Sequence, residues 1–398
     1  MKSNAYHHAL SQTSLTAAWT RLYSKTKPIS RNTVGVDDFS INDFQSNPKG
    51  HLARLSHDVR SGTFKFSPLR PYLIPKANGK LRLISVPTVR DRIVQRALVE
   101  YLSEKYHTRL ANNISFGFIK GRGVRLAAET ACNLRVKKPW IYKTDIASFF
   151  DSIKRDTLQS AIVKTIRERS IHPILFNALN AEVETTNRST KSNIAKLGIV
   201  TGQGVRQGMP LSPFFSNLLL ISFDQKVHSS GATAVRYADD LIFLCESEDE
   251  CHQMASFCSE EFGKIGLSVP PIALGSKSVI YDPKQPAEFL GLELSVTAKG
   301  YDLRVSETQL NRLTQEIGSF GSIKELLSRK ITLRTLGQSV SAKRNGYLAA
   351  YAVCSNIDNV VKELDIAERR ALKNLYGQGL GINLKSIGAD ARTFLGLT

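Results

Sequence analysis

The sequence contains no CxxC pair among its five cysteines (Cys132, Cys245, Cys251, Cys258 and Cys354) and no Cys/His spacing of a zinc site. These thiols read as reduced and mostly buried, with Cys251 and Cys258 on one helix face, as in a cytosolic protein. No run of 18 apolar residues occurs, and the N-terminus lacks an apolar core of signal-peptide length. Neither a membrane span nor secretion is therefore expected. Internal repeats and low-complexity tracts are missing too. Acidic residues are scarce: 35 Asp and Glu face 54 Lys and Arg in 398 residues, a formal net charge of +19. The excess is concentrated, because residues 50–140 hold 18 basic residues against 5 acidic ones, a net +13. Clustered cations gain affinity for a polyanion by displacing counterions from its phosphates, which puts nucleic acid first among the partners. An anionic membrane surface or added solubility would account for charge alone. The length allows two or three packed subdomains.

Along the chain, residues 1–50 are polar and helix-poor at their end (Asn47-Pro48-Lys49-Gly50). They are expected to form an N-terminal extension. Tyr72–Pro75 and Lys80–Ser85 are β-like runs separated by Ala77-Asn78-Gly79, a hairpin signal. The pattern turns helical from Val89 to Tyr106. Trp140-Ile141-Tyr142 reads as a strand leading into Asp145, residues 154–183 as helical, and 184–198 as a polar loop. Leu211 to Val227 reads as an apolar helix. Val235-Arg236-Tyr237 and Leu241–Leu244 are apolar runs flanking an acidic pair, the mark of a hairpin. A helix (Glu248–Gly263) and a strand (Phe289–Ser295) follow. This strand–helix–hairpin–helix–strand order predicts an α+β chain with a ferredoxin-like split βαβ sheet. After about Ser306 the chain is expected to be helical.

The acidic pair lies in Tyr237-Ala238-Asp239-Asp240. Adjacent carboxylates between apolar strands repel one another and lose hydration unless something compensates them. A divalent cation is the usual compensation, although an Asp-Asp dipeptide by itself is more often a turn or a cap. Asp145, at the end of an apolar strand, would supply a third carboxylate and complete a two-metal clamp for phosphoryl transfer. Asp151 is its rival, with a helix cap near Ser152 as its expected role.

These residues, taken in order with their neighbours from about Tyr72 to Leu294, resemble the reverse-transcriptase family, in particular the bacterial branch related to group II intron enzymes. The matching stretches begin with Ile74-Pro75-Lys76, Gly79-Lys80, Arg82, Ile84, Pro87-Thr88 and Asp91–Leu98. They continue through Phe116–Gly123, which lacks the Lys-Ser/Thr of a P-loop, then Asp145–Asp151, Arg206–Pro213 with Asn217, Tyr237–Asp240, Lys277 and Phe289-Leu290-Gly291. Gly346-Tyr347, Tyr351 and Leu364–Leu372 resemble the helical thumb or maturase-like region more weakly.

The resemblance implies a right-hand polymerase with fingers, ferredoxin-like palm and helical thumb. Its parts would be an extension (1–50), basic fingers (51–140), palm (141–305, with a helical insertion 152–200) and thumb (306–398). It implies two Mg²⁺ ions, with Mn²⁺ able to substitute, on Asp145, Ile146, Asp239 and Asp240, and a proton-donating Lys277. Deoxynucleotides would meet Lys76, Arg82, Phe149, Phe150, Gln207 and Gly208. Phe150 would stack under the sugar and exclude a 2′-hydroxyl, and Gly208 would let the backbone approach. Nucleic acid would meet Lys120, Arg122, Arg125, Arg206, Tyr237, Phe289, Leu290 and Gly291. No zinc-binding or endonuclease tail and no paired retron signature is seen, which points to a stand-alone bacterial enzyme. Its expected work is cDNA synthesis in the cytoplasm on a non-coding RNA in antiphage defence, with a homo-oligomer or an associated effector protein left open. The alternatives are a retron or intron-derived reverse transcriptase, a weakly catalytic RNA-binding or maturase-like factor, and template-independent or protein-primed synthesis.

Overall fold

The computed structural model describes residues 4–75, 79, 81–185, 188–298 and 300–397. Its strands are β1 (Arg70–Pro75), β2 (Leu81–Val86), β3 (Trp140–Asp145), β4 (Thr233–Tyr237), β5 (Asp240–Cys245), β6 (Val279–Tyr281), β7 (Ala287–Phe289), β8 (Leu292–Thr297) and β9 (Gly300–Arg304). The four-stranded sheet runs in the order β4-β5-β3-β6. Helix Ser212–Ser229 precedes β4, the β4–β5 hairpin follows, and helix Glu248–Lys264 precedes β6. That connectivity is the ferredoxin-like split βαβ expected from the sequence. Helix Ser212–Ser229 buries residues around its whole circumference, Phe215, Leu218 and Leu220 among them, which explains its unbroken apolar run.

The chain divides into two compact units. The first comprises Met1–Gly123, Thr144–Phe243 and His252–Val279. There β1 and β2 pair antiparallel, Tyr72 opposite Ile84. Residues 76–78 and 80, where the Asn78 turn and Lys76 fall, lie outside the described residues. The second unit comprises Val124–Lys143, Leu244–Cys251 and Ile280–Thr398. It holds the β7-β8-β9 sheet and a helical core of Phe320, Leu326, Leu336, Val340, Ala371 and Leu375. Buried Arg135 donates there to the carbonyls of Asp282, Gln285 and Leu294. All five cysteines are free and buried. No helix among the described residues is long and apolar enough to cross a membrane.

Four expectations need correction. Asn47-Pro48 opens helix Pro48–Arg60 where a helix-poor stretch was expected: the Asn47 side chain accepts from the Gly50 amide at 3.1 Å, and Pro48 sits in the first turn. The polar stretch 184–198 contains helix Arg188–Lys196, anchored by buried Ile194 against Leu83 and Val183. The single strand Phe289–Ser295 is a hairpin, β7 and β8 joined by Leu290-Gly291 at φ +55° and +77°, the two positive angles of a type I′ turn. The fourth strand of the ferredoxin-like sheet is instead β6, three residues long. Asp151 lies inside the short helix Phe149–Ser152 and does not cap the next helix, which begins at Arg155.

Asp91 carries a pH-dependent cost. It is fully buried in the first turn of helix Val89–Lys105; one carboxylate oxygen accepts from the Ser67 amide at 3.0 Å, and the other has no hydrogen-bond partner among the described residues. Burial pushes its carboxyl up to about 6. The folded state therefore resists an ionisation that the unfolded chain completes at lower pH. Stability is fully present below the usual carboxylate range and is lost as pH rises toward 6. Asp91→Asn keeps the acceptor for Ser67 and removes the charge. At pH 8 this variant is expected to unfold with on the order of 2 kcal/mol more stability than the parent, and at pH 4 with no gain. Denaturant titration at both values checks this, and a gain equal at the two would exclude the titration of Asp91 as its source.

Candidate active site

Strand β3 ends at Asp145, and its neighbour β5 begins at Asp240. The Ile146 amide donates to the Asp239 carbonyl at 3.2 Å, which fixes the two strand ends side by side. Asp145 is only 7% exposed. Burial, followed by the charge of Asp145, raises the Asp239 carboxyl above its ordinary range against the opposing pull of Lys277 and Arg82. The Lys277 ammonium donates to the Asp145 carboxylate. That bond raises the lysine most; burial opposes it, and the charges of Asp145, Asp239 and Asp240 add to it. All three carboxylates are thus within electrostatic reach of one cation. Among the described residues, no three His, Cys, Asp or Glu side chains form a group that could hold a metal as they stand. The donor chemistry nevertheless fits a hard divalent cation: carboxylate oxygens, one of them desolvated and crowded by a like charge, form a site where added positive charge relieves repulsion.

The turn of the hairpin is strained. Ala238 sits at φ +58° with its side chain buried, a left-handed conformation costing a β-carbon-bearing residue about 1–2 kcal/mol. Gly117 closes one side, since a β-carbon there would meet the Ala238 nitrogen at 2.4 Å. On β4, Arg236 is 1% exposed and donates to both Asp224 oxygens at 2.8 and 2.6 Å, to Ser115 Oγ at 2.9 Å, to Asn217 Oδ1 at 3.2 Å and to the Ala238 carbonyl at 3.0 Å. Sequence reasoning did not single out Arg236 or Asp224 as functional residues. A charged residue inside the apolar run Ala234-Val235-Arg236 was the available signal.

Of the expected nucleotide contacts, Arg82 is exposed on β2, and Gln207 and Phe150 are half-buried. Phe149 is packed in the core at 2% exposure. Gly208 has φ +110°, and a β-carbon there would meet the Ser85 carbonyl oxygen at 2.6 Å. Its missing side chain thus admits β2, whose Ser85 amide donates to the Gln207 carbonyl at 2.7 Å.

The expected nucleic-acid contacts divide. Lys120 is exposed, Tyr237 is half-buried beside the Phe118 ring, and Leu290 and Gly291 form the β7–β8 turn of the second unit. Arg125, also in the second unit, is exposed and pairs with Glu129. Three do not present themselves. Arg206 is buried and paired with Glu182 at 2.7 Å, the Arg122 guanidinium donates to the carbonyls of Ala111, Asn112 and Ser115, and Phe289 is in the core. Each spends its side chain on holding a loop or filling a hydrophobic layer.

A family described as reverse transcriptase (RNA-dependent DNA polymerase) matches residues 74–294. Over 205 residues the chain is 29% identical to Protein YkfC of Escherichia coli (strain K12), covering 50% of each. It is 29% identical over 182 residues to the Retron Ec83 reverse transcriptase of Escherichia coli, 45% of this chain and 53% of that one. It is 26% identical over 211 residues to the group II intron-encoded protein LtrA of Lactococcus lactis subsp. cremoris, 53% of this chain and 33% of that one. The chain spans about half the length, or less, of the curated relatives it matches.

The loop that carries Gln207 and Gly208 depends on Glu182. That carboxylate pairs with Arg155 and Arg206, both at 2.7 Å, and accepts from the Gly202 amide at 2.8 Å. Burial works against its charge, but Gly202, Arg206 and Arg155 together hold the carboxyl below its usual range. Glu182→Ala would leave two buried guanidinium groups without their shared partner. Because Glu182 is about one-third exposed, water offsets part of that cost, and a loss on the order of 2 kcal/mol is expected. Denaturant unfolding measures it; a loss of a few tenths would show that solvent replaces the carboxylate.

Proposed function

Because the chain belongs to the reverse transcriptase (RNA-dependent DNA polymerase) family, whose right-hand polymerase fold it has, we propose that it extends a primer with deoxynucleotides on an RNA template. The observation that carries this reading is the placement of Asp145 beside Asp239 and Asp240 at the adjacent ends of β3 and β5, with Lys277 donating to Asp145. Divalent cations, Mg²⁺ or Mn²⁺, held by the three carboxylates and the Ile146 backbone would neutralise the attacking and leaving oxygens of nucleotidyl transfer.

The chain's own residues supply the rest. Asp145 and Asp239, desolvated and side by side, favour a cationic occupant. Lys277 carries a proton that it can deliver to the leaving pyrophosphate, its ammonium form being favoured by the surrounding carboxylates. Arg82, whose charge already acts on Asp239, would meet the triphosphate with Lys76. Gln207, held by β2, would face the nucleotide. Phe150, half-buried where Phe149 is core, is the aromatic available to bar a 2′-hydroxyl. In this reading residues 51–140 act as fingers, 141–305 as palm and 306–398 as thumb, with Lys120 and Arg125 toward nucleic acid. A non-coding RNA template, a cytoplasmic setting and a role in antiphage defence come from the resemblance in sequence alone.

Two measurements test the proposal. The double variant Asp239→Ala/Asp240→Ala is expected to lose divalent-metal-dependent deoxynucleotide incorporation by at least about three orders of magnitude while keeping its fold. Incorporation within tenfold of the parent would remove these carboxylates from the site. Phe150→Val is expected to raise ribonucleotide relative to deoxynucleotide incorporation by roughly tenfold or more, because selectivity by clash disappears with the obstructing ring. A lowered melting temperature with unchanged sugar choice would return Phe150 to the core.

A further inference from the structure

Arg236 and Asp224 form a fully buried ion pair whose role stability does not explain. Two charges withdrawn from water lose hydration that their attraction barely repays, and well-packed apolar residues of similar volume often fold as well or better. What the pair offers is direction. The Arg236 Nε and one terminal nitrogen engage both oxygens of Asp224 at 2.8 and 2.6 Å, which fixes the plane of the guanidinium. Asn112 also donates to Asp224, at 2.8 Å. The remaining nitrogen is thereby aimed at the Ala238 carbonyl, 3.0 Å away, and at Asn217 Oδ1, 3.2 Å away. Asn217 in turn donates to the Gly117 carbonyl at 2.7 Å, and Gly117 is the residue whose missing β-carbon admits the Ala238 amide. The peptide on each side of Ala238 is therefore gripped by one network, and Ala238 is the left-handed residue immediately before Asp239 and Asp240.

We propose that Arg236 is the positioning residue of the carboxylate hairpin: its guanidinium, oriented by Asp224, holds Ala238 in the left-handed conformation that presents Asp239 and Asp240 to the divalent cations. This deepens the polymerase reading and rests on it. A lysine has no planar fork and cannot bond Asp224 through two nitrogens while reaching the Ala238 carbonyl.

The test uses the full chain and two kinds of variant. Arg236→Lys keeps the charge and loses the fork; Arg236→Met with Asp224→Leu replaces the pair by apolar residues that preserve packing. Each is measured for melting temperature, for kcat and KM of deoxynucleotide incorporation, and for Mn²⁺ affinity by paramagnetic resonance without substrate. Folded variants are expected to lose ~100-fold in kcat, with KM within about threefold, because the carboxylates are misplaced while the nucleotide contacts remain. Mn²⁺ affinity is expected to fall ~10-fold. Adding Ala238→Gly to Arg236→Lys is expected to restore roughly tenfold of the lost kcat, since glycine enters the left-handed region without the alanine penalty. A folded apolar pair with parental kcat and Mn²⁺ affinity would overturn the proposal, as would kcat losses that follow melting temperature alone. Should neither Arg236 variant fold, Asn217→Ala gives the same comparison with one bond to the grip removed. If the parent protein incorporates no deoxynucleotide, the polymerase reading fails, and the Mn²⁺ titration still decides whether Arg236 positions the hairpin.

Discussion

Three carboxylates brought to the adjacent ends of β3 and β5 create an electrostatic problem that the surrounding chain is arranged to contain. Burial and the neighbouring Asp145 already push Asp239 toward its protonated form. Without opposing charge the hairpin would be driven to separate or neutralise its acids. Lys277 supplies part of that charge by donating to Asp145, and Arg82 acts on Asp239 from β2. Both cations are exposed side chains on a flexible aliphatic stem, so they can leave the carboxylates when a stronger counter-charge arrives. A fixed, buried cation at the same place would satisfy the acids permanently and close the site to metal. The arrangement therefore contains the repulsion with side chains that can move, which is what the proposed exchange for a divalent cation requires.

The acids also have to be held where repulsion would not leave them. Side-chain packing is poorly suited to this, because rotamers can yield. The chain fixes the backbone itself instead: the Ile146 amide bonds the Asp239 carbonyl across the strand ends, Gly117 abuts Ala238, and the Arg236 guanidinium bonds the Ala238 carbonyl. The strain in Ala238 persists because its surroundings over-determine it. The loop behind Gln207 repeats the device, with Gly208 pressed on Ser85 and Glu182 tying Arg206 to Arg155.

How far the sequence could be read follows from which forces leave a local pattern. The acidic hairpin was legible because apolar residues flank two carboxylates that nothing in the sequence compensates, and the buried helix Ser212–Ser229 because its apolar run is continuous. Strand β6 was not, since three residues are too few to show a period. Helix Arg188–Lys196 escaped because it is polar apart from the face that carries Ile194, whose burial depends on nearby Val183 and on Leu83 far away in the chain. Asn47-Pro48 has the composition of a turn and the geometry of a cap, and composition does not tell them apart. The side chains of Arg206 and Arg122 look alike in sequence to that of Lys120; only tertiary partners separate a buried loop anchor from an exposed cation.

That separation changes what the positive charge is for. A net +13 over residues 50–140 invites the reading that every lysine and arginine there faces phosphate. Yet Arg122 is engaged with three carbonyl oxygens, Arg92 and Arg96 are lowered by burial, and Arg90 pairs with Asp58. Such arginines build loops and helix packing, because a guanidinium can satisfy several carbonyls at once and stack on rings, as Arg122 does over Phe116. Lys120, exposed next to Gly121 at the same turn, has no such commitment among the described contacts and keeps its charge at the surface. The same short motif therefore divides its two cations, one spent on shaping the loop and the other left at the surface. Counting charges therefore overstates the free cationic surface by the number that the fold consumes, so that surface is smaller and more localised than the composition implies.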